Sequence, residues 1–324
     1  MIDCVLSLLL LLTSQAAPEN TSDVPPSIAR ITPEMIQEDV NHLADDSFYG
    51  RYWLSPFAQK AADWIRDEFI AAGVQPGAAD GAWFQFTKTK DAAPNVIGLI
   101  PGNKKGAGVI VLTAHYDHLP PRRRGEDKIF NGADDNASGT AGILAVARAL
   151  VPLQAKLQSS VLFIAFTGEE AGLKGAKYFV RNPTVPLNSI KGLINLDMIS
   201  RGEENVIFID GAKESPDLIK VLRAANEQIG LDLQVDQYPD WLTRSDQWPF
   251  LQKGVQAVLF SVEDHEDYHQ VTDHADRIIA PLAARVSQLI AIAVLDLAGQ
   301  KRVGSEAPQE SNSVSQEKEA SQEP

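Results

Sequence analysis

Between residues 115 and 170 three segments each bring apolar chain up to acidic or imidazole side chains, and this pattern constrains the fold most. Val109-Ile110-Val111-Leu112-Thr113-Ala114 delivers His115, Tyr116 and Asp117. Asn131-Gly132-Ala133-Asp134-Asp135-Asn136-Ala137-Ser138-Gly139 leads into a helix of small and aliphatic residues over 138–150. Val161-Leu162-Phe163-Ile164-Ala165-Phe166 ends in Thr167-Gly168-Glu169-Glu170. Short apolar runs alternating with helical periodicity from 95 to 298 predict one α/β domain. Its central β-sheet is mixed but mostly parallel, with helices on both faces. Such sheets collect functional side chains in a crevice at the carboxyl ends of neighbouring strands.

Upstream, Thr32-Pro33 opens a helix carrying Ile36, Val40 and Leu43 inward, with His42 left exposed on it. Ser55 caps a second helix and Pro56 opens it; Phe57, Ala61, Trp64, Ile65 and Phe69 line one face, and Gly73 ends it. Strands are expected at 84–87 and 95–100. Later strands are expected at 193–196, 206–209 and 256–262, with helices over 173–180, 215–230 and about 276–298. The domain is expected to span 31–300. Residues 18–30, rich in Pro, Ser and Asn, read as a linker, and the polar tail 301–324 reads as disordered.

A formal net charge of −14 argues against nucleic acid as a partner, and Arg122-Arg123-Arg124 reads as a surface loop. The N-terminal apolar run is shorter than the roughly 20 residues a bilayer span needs. With Ser14-Gln15-Ala16 following it, residues 1–17 read as a secretory signal, which implies export to periplasm or medium and no stable membrane insertion afterwards. Cleavage there removes Cys4, the only cysteine, and with it any disulfide or thiol nucleophile.

His115 follows its strand directly, and Asp117 is placed to hold its ring through a hydrogen bond that selects the ligating tautomer. His118 is expected to point elsewhere and reads as structural. Asp134, Glu170, Asp197 and His269 are the other ligand candidates, each at or just after the end of an apolar run. Carboxylates and imidazoles without thiols form the donor mix of a catalytic zinc site. Together with Asp117, Asp135 and Glu169, these carboxylates would crowd one crevice. Two of them 4 Å apart repel by about 4 kcal/mol at an effective dielectric of 20, and bound divalent cations would cancel that repulsion.

These motifs together resemble the di-zinc aminopeptidases related to bacterial leucyl aminopeptidase and aminopeptidase Y. The resemblance rests on His115-Tyr116-Asp117, on residues 132–139, on Gly168-Glu169-Glu170, on Asn195-Leu196-Asp197-Met198 and on Tyr268-His269 with Asp273. Asp45, Gly50-Arg51 and Asn95-Val96-Ile97-Gly98 extend it upstream, so that it covers roughly 32–298. It implies two zinc ions per chain, one on His115 and Asp197, the other on Glu170 and His269, with Asp134 bridging. It also implies Glu169 as general base, Tyr268 as a donor to the oxyanion, and a cis peptide between Asp134 and Asp135. The implied reaction is hydrolysis of N-terminal residues from peptides with a free N-terminus by a zinc-activated water. Related chemistries on the same fold are a glutaminyl-cyclase-like acyl transfer and dipeptidase or carboxypeptidase action; a metal-free receptor-like domain is the non-enzymatic alternative. Where many relatives read Ser-Asp-His, this chain has Ser245-Asp246-Gln247, expected beside the substrate pocket. The sequence carries no signal for the preferred N-terminal residue or the oligomeric state. If the N-terminal reading holds, sequencing the mature protein from its producing cell should start near Ala17; an intact Met1 in a cytoplasmic fraction would refute it.

Overall fold

The computed structural model describes residues 24–299. The expected signal segment, residues 18–23 of the linker and the C-terminal tail therefore lie outside the described residues. The linker reading fails where it can be compared, because Pro26–Ala29 forms a helical turn (α1) whose Ile28 is fully buried.

Helix boundaries follow the capping residues. Thr32 Oγ1 accepts the Met35 amide at the start of α2 (Pro33–Leu43), and Ser55 Oγ accepts the Ala58 amide at the start of α3 (Pro56–Ala72). Gly73 closes α3 in the left-handed conformation at φ 85°. Phe57 and Trp64 are only half-buried, stacking on Tyr49 and His42, while Ala58, Ala61, Ile65 and Phe69 make the buried stripe.

The sheet has nine strands: β1 (Gln75–Pro76), β2 (Phe84–Gln85), β3 (Asn95–Ile100), β4 (Val109–His115), β5 (Ser160–Phe166), β6 (Ile190–Leu196), β7 (Val206–Asp210), β8 (Asp232–Val235) and β9 (Ala257–Ser261). Their order is β1-β3-β5-β4-β6-β9-β7-β8, with β2 also paired to β3. The centre β5-β4-β6-β9 is parallel throughout, and β3 and β7 flank it antiparallel. All four central strands therefore end at the same edge. In register, His115 lies opposite Phe166, Thr113 opposite Asn195, and Leu196 opposite Phe260.

Side chains alternate between two cores as the pleat requires. Along β4, Ile110, Leu112 and Ala114 face the larger core, while Val109 and Val111 face the smaller. The larger core is covered by α2, α3, α4 (Gly139–Leu150), α6 (Pro216–Asn226) and α8 (Ala280–Ala298); the smaller by α5 (Lys174–Arg181) and α7 (Trp248–Leu251). Among the described residues only α8 is long and apolar enough to cross a membrane, and here it is the core helix, packed on α4, α6 and α2.

Arg51 ties the outer helices to the edge where the central strands end. Its guanidinium is fully buried and donates to the carbonyls of Tyr116 (2.8 Å), Leu43 (2.6 Å), Asn131 (2.6 Å) and Gly132 (2.9 Å). Burial pulls its pKa down to about 10, against the pull of Asp135, Asp273, Asp117 and Glu170, so it stays charged at neutral pH. Arg51→Leu should lower the unfolding free energy in urea by about 3 kcal/mol or more, because buried carbonyls lose a charged donor. Arg51→Lys, which keeps the charge but not the fork, should recover only part of that loss. A loss below about 1 kcal/mol for the leucine variant would mean those carbonyls find other partners.

Candidate metal centre

Each central strand hands over one part of a single cluster. β4 ends in His115, β5 runs through the Thr167-Gly168 turn to Glu169 and Glu170, and β6 is followed by Asp197. The loop after β9 carries His265, Tyr268 and His269, and the irregular turn Ala133–Ser138 enters α4 from the side. The handovers are fixed by polar side chains. Asn95 Oδ1 accepts the Thr167 amide while its Nδ2 donates to the Gly175 carbonyl. Asp117 Oδ1 accepts the Glu169 amide at 3.1 Å. Thr113 Oγ1 donates to Asn195 Oδ1, Asn195 Nδ2 to Ser245 Oγ, and Ser245 Oγ to Asp197 Oδ2 at 2.5 Å, which aims the Asp197 carboxylate.

His115 Nε2 lies 3.1 Å from Asp197 Oδ1 and 3.4 Å from Asp135 Oδ1. His269 Nε2 lies 3.2 Å from both Asp135 Oδ2 and Glu170 Oε2. His115, Asp135 and Asp197 thus place ligating atoms within 4.8 Å of one another, and so do His118, Asp135 and Glu170. Glu169 lines the adjoining cleft with His115, Asp197, Tyr268 and His269.

The structure corrects four details of the sequence reading. Asp135, not Asp134, stands between the two donor groups. The Asp134 carboxylate is turned away and occupied: Oδ1 accepts from Ser200 N (2.7 Å), Ser200 Oγ (2.6 Å) and Ser138 Oγ (3.3 Å), and Oδ2 faces His265 Nε2 at 3.2 Å. The cis peptide joins Asp135 to Asn136, one residue later than expected. The Asp117 carboxylate does not hold the His115 ring; Nδ1 is 3.1 Å from the Asp117 main-chain carbonyl and 3.8 Å from its Oδ1. His118 is not turned elsewhere, for its Nδ1 lies 2.8 Å from Glu170 Oε1.

Two further residues have roles the sequence did not disclose. Asp273 receives the Asp134 and Asp135 amides on its carboxylate (3.0–3.1 Å), holding the turn that aims Asp135. Gln247, in the Ser-Asp-Gln departure, does not line the cleft. It is buried behind it, with Oε1 3.3 Å from Asn195 Nδ2 and Nε2 donating to the Leu242 carbonyl. Asn136 is fully buried, its side-chain amide shared among Leu196, Gly139 and Met198, so Asn136-Ala137-Ser138, which matches the Asn-x-Ser glycosylation pattern, is closed to glycosylation.

Burial lifts the Asp117 carboxyl to about 7 and that of Asp273 to about 6. It would lower the imidazole of His269, but Asp135 and Glu170 overcome it and raise that group to about 10. His115 is likewise held well above the usual imidazole range, against burial, chiefly by Asp197 and Asp135. Burial would raise Asp135, yet His118, His115 and His269 keep it well below the usual carboxylate range. The carboxylates thus favour positive charge at the positions of His115 and His269.

Residues 95–294 match Peptidase family M28. The chain belongs to this family. Leucine aminopeptidase 1 of Arthroderma gypseum is 32% identical over 193 residues, covering 58% of this chain and 50% of that protein. The chain spans about half the length of the curated relatives it matches. Among solved structures, the LapA aminopeptidase of Legionella pneumophila superposes with a TM-score of 0.72 at 21% identity, over 87% of this chain and 76% of that one. BSAP, a zinc aminopeptidase from Bacillus subtilis, gives 0.55 at 27% identity over 66% and 52%. The glutaminyl cyclase of Porphyromonas gingivalis gives 0.64 at 18% identity over 81% and 97%. The donor set fits the zinc of the Bacillus relative: imidazole nitrogens and carboxylate oxygens converge, and the buried Glu170 Oε1 has no hydrogen-bond partner.

Adding zinc to metal-stripped protein should therefore raise its melting temperature. Zinc at 100 times its Kd adds about 2.7 kcal/mol of stability. A melting curve that does not move with zinc would count against the centre.

Proposed function

We propose that this M28 member is a di-zinc aminopeptidase that hydrolyses N-terminal residues from peptides. The observation that carries this reading is the position of Asp135. One carboxylate oxygen faces His115 and the other faces His269, so a single side chain links the His115–Asp197 donors to the Glu170–His269 donors. Bound zinc would supply Lewis acidity, polarising the scissile carbonyl and acidifying water.

The chain's own residues do the rest. Glu169 lines the cleft and belongs to neither donor group, so it is free to take the proton from the attacking water and pass it to the leaving amine. Burial holds its carboxyl well above the usual range. Tyr268, at the rim, offers its hydroxyl to the developing oxyanion; it already meets Arg244 Nη2 at 3.4 Å. Met198, Trp241 and Leu259 give the cleft an apolar wall for the N-terminal side chain. The surrounding carboxylates favour the substrate's ammonium group. Asp117 acts from behind, holding the Glu169 amide. Export, read from the N-terminal sequence, is part of the same proposal.

Glu169→Gln should lower kcat by about 10²–10⁴ while zinc content stays at the parent level. Glu170→Gln should lose zinc and regain part of its activity when zinc is added. Zinc content and kcat measured side by side decide the two roles; the opposite pattern would exchange them. A peptide with a free α-amine should be turned over and its N-acetylated form left intact. Equal turnover of the two would end the aminopeptidase reading, and efficient cyclisation of N-terminal Gln by protein holding one tight zinc would favour the cyclase.

A further inference from the structure

His118 leaves β4 three residues beyond His115 and is fully buried on the side of Glu170. Its Nδ1 lies 2.8 Å from Glu170 Oε1 and 3.6 Å from Asp135 Oδ2. The contact with Glu170 is short but lacks hydrogen-bond alignment, and neither ring nitrogen of His118 nor Glu170 Oε1 has a hydrogen-bond partner. Buried polar atoms left in this state cost free energy and call for an explanation. A cation shared by Nδ1 and Oε1 satisfies both.

Donor spacing agrees with this. Zinc bonds of about 2.0–2.2 Å in tetrahedral geometry place ligating atoms about 3.4 Å apart. The separations from His118 Nδ1 are 2.8 and 3.6 Å, and those from His269 Nε2 to the same two carboxylates are 3.2 Å each. The ring is also confined. Gly132 sits at φ 55°, and a Cβ there would come within 2.7 Å of the His118 ring. Phe130 and His269 meet the ring edge-on, with centroids 6.3 and 5.8 Å away. Loss of rotamer freedom is thus already incurred in the fold, before any cation arrives.

We propose that His118 is a fourth protein donor, through Nδ1, to the cation held by Asp135, Glu170 and His269. This rests on the two-cation reading above and adds an asymmetry to it. One cation would sit on one imidazole and two carboxylates, the other on two imidazoles and two carboxylates. The imidazole-richer site should fill first and should discriminate more strongly for zinc over manganese or magnesium.

The test uses the full chain with isotope-labelled histidine, loaded with NMR-active cadmium. Three imidazoles should show one-bond cadmium–nitrogen coupling: His115, His269 and, through Nδ1, His118. Two cadmium resonances with coupling only at His115 and His269 would overturn the proposal and leave the two-cation reading standing. A single cadmium resonance would overturn both. In parallel, His118→Phe keeps a ring in the packed space, and zinc titration should show the Glu170-containing site weakened by more than about 100-fold, with the His115 site little changed. Loss of a partner that merely orients a ligand costs about 10–100-fold, so a weakening within that range, without coupling, would also overturn it. The unsubstituted chain carries the coupling test whether or not the variant folds.

Discussion

Repulsion among carboxylates is the constraint around which this protein is arranged. Four parallel strands end at one edge, and Asp117, Asp135, Glu169, Glu170, Asp197 and Asp246 come together there. A pair of such groups 4 Å apart costs about 4 kcal/mol at an effective dielectric of 20, against a total stability of roughly 5–15 kcal/mol for a domain. The fold tolerates this by directing donors at the carboxylates. Main-chain amides serve Asp117, Asp134 and Asp273, Ser245 serves Asp197, and three imidazoles surround Asp135. What these donors leave unsatisfied, notably Glu170 Oε1 and one oxygen of Asp117, marks where positive charge is still wanted.

Arg51 supplies a fully buried cation inside this arrangement, yet none of its hydrogen bonds goes to a carboxylate. Its donors all go to carbonyls, and its charge acts on Asp135, Asp273, Asp117 and Glu170 through space. One buried residue therefore does two jobs, closing the chain around the end of β4 and offsetting the acidic edge. Gln247 shows the same layering from the other side. It stands one layer behind Ser245 and Asn195, so the departure from Ser-Asp-His changes the support of Asp197 rather than the wall of the cleft.

Most of the scaffold was legible because its signals are local. Thr32 and Ser55 cap helices through their own side chains, Gly73 ends one by its φ, and continuous apolar runs became β3, β4, β5 and β9. β1 and β8 were not legible. A two-residue strand has no period to detect, and β8 exists because β7 offers it an edge. The turn at Pro26 was hidden by linker-like composition, since only the finished core shows where Ile28 goes.

By itself the sequence determined the α/β class, the family and most of the residues that gather at the strand ends, because apolar runs ending in His, Asp or Glu report what each strand delivers. It did not determine direction. Asp134 and Asp135 are adjacent and chemically alike, and nothing local says which one faces the imidazoles. Asp273, distant in sequence, decides by taking both amides, while Ser200 and His265 draw Asp134 the other way. His118 was misread for the same reason. Which way a side chain points out of an irregular turn is set by partners from other strands, and those meet only when the sheet is assembled.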